Sequence, residues 1–78
     1  MNKITKESLE VNSSAITSLA YAPQEESLFV TFINGSIYNY NDVPENIYMG
    51  LKYSKSIGQH FTKYIKDEYN FEKVKTNN

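Results

Sequence analysis

The strongest constraint lies in the middle of the chain. From Ser27 to Ile33 the residues alternate, with Leu28, Val30 and Phe32 on one side and Phe29, Thr31 and Ile33 on the other. Asn34-Gly35 follows at once, and strand-like residues resume on its far side. Both turn residues tolerate positive φ, so the pair predicts a type I′ hairpin. Because both faces of the first strand are apolar, it belongs at the centre of a sheet.

The rest of the sheet is read outward from that hairpin. Ser36 to Asn41 forms the next strand, with Tyr38 and Tyr40 on one face and Ile37, Asn39 and Asn41 on the other. Upstream, Ser14 to Ala22 carries Ile16, Leu19 and Tyr21, whose spacing shifts from three to two. That shift predicts a strand with a bulge. Ala22-Pro23-Gln24-Glu25-Glu26 is a turn, with Pro23 fixing φ early in it. The economical arrangement is a small three-stranded antiparallel meander.

Two helices are expected after the sheet, giving an α+β fold with the sheet packed against two C-terminal helices. Asp42-Val43-Pro44-Glu45 opens the first, with proline at the first helical position. Ile47, Tyr48 and Leu51 form its buried stripe, and it fades near Tyr53. The second starts near Ser56, where Ser56 and Gln59 have the spacing of a capping box. Ile57, Phe61, Tyr64 and Ile65 share one face. Phe71 and Val74 offer one last packed contact. Residues 1–12 read as a flexible leader, 13–74 as one domain and 75–78 as a polar tail.

Composition sets the limits. A chain of 78 residues supports one small domain. With no cysteine and one histidine, it forms neither disulfides nor an expected zinc site. Eleven aromatics, seven of them tyrosine, must stand in for core size. Eight lysines, no arginine and nine carboxylates give a net charge of −1. A duplex-binding protein would show a basic stripe, so duplex DNA is not an expected partner. No apolar run suits a membrane span, and Met1 to Val11 is polar and mixed in charge, unlike a secretory signal. The expectation is a cytoplasmic protein.

Three groups of residues are candidates for chemistry. Ser54, Lys55, Ser56, Gly58, Gln59 and His60 gather hydroxyls, a cation and a glycine at a helix start, where free N–H groups attract anions. They are the candidate anion or nucleotide site. The competing reading is that Ser56 only caps the helix and Gly58 only permits close packing. Tyr21, Tyr38, Tyr40 and Tyr53 are candidates for base stacking or an interface; the competing reading makes them core residues with hydroxyls at the rim. His60 has no nucleophile motif around it, and the carboxylates form no cleft pattern, so neither catalysis, cofactor nor metal is expected.

The ordered set of residues resembles the KTSC domain, a module named for its place at the C-terminus of some lysyl-tRNA synthetases and also found alone in bacteria and phages. The resemblance runs from Ser13 to about Val74. It is carried by Ser13-Ser14 with Ile16, Tyr21, Leu28-x-Val30-x-Phe32, Gly35, Tyr38-x-Tyr40, Val43-Pro44, Tyr48 and Leu51. Ser56-x-Gly58-x-x-Phe61, Ile65, Tyr69 and Phe71 complete it. It implies a compact α+β domain without known catalysis, and company that suggests RNA or a nucleotide. Where family members often carry arginine, this chain has Asn39, Lys63, Lys66, Asp67, Glu68 and Lys73. Two functions follow as expectations. One is a non-enzymatic module contacting RNA or a nucleotide through a helix N-terminus. The other is a phage-encoded inhibitor of a host defence system, acting on a protein partner or sequestering a nucleotide. A homo-oligomer fits either.

Overall fold

A computed structural model describes residues 7–75. Seven elements follow in chain order: β1 (Glu7–Glu10), β2 (Ile16–Ala22), β3 (Ser27–Phe32), β4 (Ile37–Tyr40), α1 (Glu45–Lys52), α2 (Ile57–Tyr64) and β5 (Phe71–Lys75). The strands form one antiparallel sheet in the order β1-β2-β3-β4-β5. The α+β class and the central meander hold, but the strand count is corrected from three to five. The helices precede β5 and are therefore not C-terminal. β1 falls inside the stretch read as a leader. Residues 1–6 and 76–78, the rest of the expected leader and most of the expected tail, lie outside the described residues.

The expected bulge in β2 explains how the core closes. Pairing shifts between Ile16 and Ser18, so one residue is skipped and Ile16, Leu19 and Tyr21 all turn inward. Each is 1–2% exposed. Leu28, Val30 and Tyr40 continue this inner face, and Tyr48, Leu51, Phe61 and Ile65 of the helical layer cover it. The aromatics do act as core: Tyr21 and Tyr48 stack at 4.5 Å with rings 9° apart. Tyr64 departs from its expected inward place. It is 49% exposed and packs against its neighbour His60, with ring centroids 4.6 Å apart.

The β3–β4 turn differs from the expected type I′ form. Gly35 has φ 91°, whereas Asn34 is not among the positive-φ residues described. The Gly35 N–H donates to Phe32 O and the Phe32 N–H to Ser36 O, giving a three-residue loop, Ile33 to Gly35. Asn34 serves through its side chain, its Oδ1 accepting from the Ser36 N–H at 2.9 Å.

The helix starts are also corrected. Pro44 has ψ 154° and is the residue before α1, one position earlier than expected. Ser56 precedes α2 but makes no side-chain capping bond, so the capping box does not form. The hydroxyl of Ser54 binds there instead. It accepts from the Ser56 N–H and donates to Ser56 O. Ahead of α1, Val43 is fully buried; its N–H donates to Glu26 O and its carbonyl accepts from the Tyr21 hydroxyl at 2.6 Å. That hydroxyl fixes where the helical layer begins.

Candidate functional site

Two open grooves flank α2. The first, about 680 Å³, runs between α2 and the β4–β5 side of the sheet. Its floor is aromatic for a topological reason. Tyr38 pairs with Val30 on one side and Lys73 on the other, while Tyr40 pairs with Leu28 and Phe71. These residues therefore share the inner face of the sheet. Phe32 meets Tyr38 edge-on at 5.4 Å and Phe61 at 5.7 Å. Phe71 lies 5.4 Å from Tyr38 and 5.2 Å from Tyr40. The Lys73 ammonium sits 5.7 Å from the centre of the Tyr38 ring. Lys66 and Asp67, just beyond α2, form the rim.

The second groove, about 580 Å³, lies between the start of α2 and the loop Asn12 to Ala15. Lys55, Ser56, Gly58, Gln59 and Lys63 line it. Gly58 permits a close approach here. A β-carbon at that position would lie 3.1 Å from the Ser13 hydroxyl oxygen. That oxygen is held in place, because it accepts from the N–H groups of Ala15 and Ile16 at 3.2 and 3.3 Å.

The structure thus gathers four of the six helix-start candidates, Lys55, Ser56, Gly58 and Gln59, in one groove. Ser54 and His60 line neither groove. Ser54 is spent on the backbone of Ser56. The His60 ring lies between Tyr64 and α1, where its Nε2 is 3.7 Å from the position a Gly50 side chain would take. Of the tyrosine candidates, Tyr38 lines the first groove, while Tyr40, though it borders that groove, is 3% exposed and is corrected to a core role. Tyr21 is corrected to a core role: it is 2% exposed, stacked on Tyr48 and bonded to Val43. Tyr53 is exposed but stands outside both grooves, near the Lys52 ammonium. Sequence reasoning missed Phe71, Lys73 and Lys66 as site residues. The Phe71-x-Lys73 alternation was the available signal.

Charge is divided between the grooves and the rest of the chain. Lys55, Lys63, Lys66 and Lys73 line the grooves against one carboxylate, Asp67. The other four lysines of the sequence stand against eight carboxylates. Glu72, next to Lys73, pairs across β4 with Asn39 on the opposite face of the sheet. A chain of net charge −1 therefore presents a locally positive, aromatic-floored surface. Away from it, Glu7 accepts from the Lys52 ammonium and from the Tyr48 hydroxyl, tying β1 to α1. The Lys52 hydrogen bond is the main reason the Glu7 carboxyl lies below its ordinary range. Burial, with the Glu7 contact added, pushes the Tyr48 phenol up.

The sequence pattern of the KTSC domain matches residues 12–69. The chain belongs to the KTSC domain family. Among proteins with similar sequences, a lysine–tRNA ligase of Nostoc punctiforme is 35% identical over 66 residues, covering 85% of this chain but 12% of the ligase. The KTSC chain thus spans about an eighth of that relative. An uncharacterized protein of Stutzerimonas stutzeri is 34% identical over 59 residues, covering 76% of this chain and 83% of the relative. The crystal structure of a KTSC domain protein from Yersinia pestis superposes with a TM-score of 0.81 at 28% identity, covering 94% of this chain and all of that one. Among the described residues of this KTSC domain, no helix is long and apolar enough to cross a membrane.

Proposed function

We propose that this KTSC domain is a non-enzymatic module that binds single-stranded RNA on the groove face of α2. The observation that carries this reading is the coincidence of an aromatic floor with the chain's segregated positive charge. Bases stack on aromatic rings whatever their sequence, and lysines neutralise the phosphates beside them. Phe71, 51% exposed and packed on Tyr38 and Tyr40, is the ring on which a base would stack. Lys66 and Lys73 stand at the rim for phosphate. The helix-start residues Lys55, Ser56, Gly58 and Gln59 line the adjoining groove. The kinship with a region of a lysine–tRNA ligase fits this reading.

The test is a titration of a labelled oligouridylate by fluorescence anisotropy, with circular dichroism to confirm folding of each variant. Phe71→Ala should weaken binding by about 1–3 kcal/mol, the range for loss of one stacked base. Lys73→Glu should weaken it further at low salt. Oligouridylate affinity unchanged in both folded variants would reject the site. The second reading, a protein partner, draws on exposed Ile33 at the hairpin tip and Val74 on β5. It includes the phage-inhibitor possibility. A protein held through these apolar side chains would bind with little dependence on salt, unlike RNA.

A further inference from the structure

Resting on the RNA-binding reading, we infer that the two grooves form one track for a strand of about four ribonucleotides, crossing α2 near Thr62. Ser14, Ala15, Gly58 and Thr62 line both grooves, so the two adjoin. The crossing is bordered by the small residues Ser14 and Ala15, while the space beside Gly58 itself is taken by the Ser13 hydroxyl. Cations stand at both ends: Lys66 and Lys73 beside the aromatic floor, Lys55 and Lys63 on the far side. A mononucleotide on the floor would leave the far pair unused. Each of the four lysines meets at most one phosphate, so a strand that engages them all carries about four phosphates.

The crossing also favours RNA over DNA. The Thr62 hydroxyl donates its proton to Gly58 O at 3.0 Å. Its oxygen therefore keeps its lone pairs for an incoming donor, and a ribose 2′-hydroxyl is such a donor where deoxyribose has none.

The experiment measures affinity of the full chain for uridine monophosphate and for oligouridylates of increasing length, with oligothymidylate as the DNA arm. Affinity should climb at least tenfold from monomer to about the tetramer and then flatten. With four phosphate contacts, the strand should lose about 50-fold in affinity between about 50 and about 200 mM salt, from a slope near −0.7 per contact. The double variant Lys55→Gln/Lys63→Gln should reduce that loss to about sevenfold, the value for two contacts. It should flatten the length dependence. Oligothymidylate should bind several-fold more weakly than oligouridylate, and Thr62→Val should narrow that gap. A monophosphate that binds as tightly as the hexamer, or a double variant identical to the parent, would overturn the track while leaving the binding reading intact. Equal binding of thymidylate and uridylate would overturn the preference for RNA. No binding at any length would sink the RNA-binding reading together with the track.

Discussion

The hydroxyl of Tyr21 is the sharpest test of how this small core is assembled. It donates to the carbonyl of Val43 at 2.6 Å, with donor and acceptor both buried. Tyr21→Phe deletes one oxygen and leaves the ring stacked on Tyr48. What it removes is the partner of a buried carbonyl at the entry to α1. A buried polar group left unsatisfied costs about 1–3 kcal/mol. A domain of this size has a total stability of about 4–12 kcal/mol, so the loss is a large share. At about 4–8 °C per kcal/mol, the melting temperature should fall by about 5–20 °C. Tyr53→Phe is the control: Tyr53 is 71% exposed, and its loss of a hydroxyl should stay within about 0.5 kcal/mol. The assay is thermal and urea unfolding followed by circular dichroism, with both variants beside the parent. If Tyr21→Phe unfolds within about 0.5 kcal/mol of the parent, as expected only for surface changes, Val43 does not depend on Tyr21 and the anchoring role is wrong.

Further predictions address other joints of the fold. Gly35→Ala should cost about 1–2 kcal/mol, because φ 91° suits glycine and strains a side chain, and urea unfolding would measure it. Phe61→Ala should cost about 3–5 kcal/mol, since its ring is buried between Phe32 and Tyr40, and the same unfolding curves would show it. Glu7→Gln should lower the melting temperature at neutral pH. The folded Glu7 carboxyl lies below its ordinary value of 4.5, so its contribution is present above that pH and is lost as pH falls through the lower folded value. Parent and variant should therefore melt alike in acid, and a gap that persisted there would refute the assignment to ionised Glu7.

What the sequence disclosed and what it hid have separate causes. The bulge in β2 was legible because its three large residues, Ile16, Leu19 and Tyr21, keep one face only if a residue is skipped. The inner face of β4 was legible from Tyr38 and Tyr40. The edge strands were not. In β1, Glu7 points to the same side as Leu9, and the polar residue is tolerated there because Lys52 and Tyr48 meet it from α1. No local pattern announces a partner 45 positions away. In β5, pairing shifts between Ile37 and Tyr38, leaving Val74 between Lys73 and Lys75 without a rung of its own. That breaks the period of two, so Phe71 and Val74, three apart, did not read as a strand. The aromatic groove was hidden with it, since Phe71 and Lys73 become neighbours of Tyr38 and Tyr40 only when β5 adds to the sheet.

The charge argument was limited in a different way. Net charge −1 counts against a polyanion ligand only if every charge acts on the ligand equally. The molecule measures 36 × 29 × 22 Å, whereas exposed charges are largely screened beyond about 8–10 Å at ordinary ionic strength. A phosphate in the grooves therefore responds to Lys55, Lys63, Lys66, Lys73 and Asp67 far more than to the turn carboxylates Glu25 and Glu26. The missing arginines weaken bidentate recognition and not attraction itself, because lysine binds phosphate as a point charge. A surface of this kind favours contacts that tolerate sequence, with stacking on the aromatic floor and screened attraction along the strand. Its affinity should consequently rise with the number of phosphates spanned and fall steeply with salt, rather than depend on the identity of any one base.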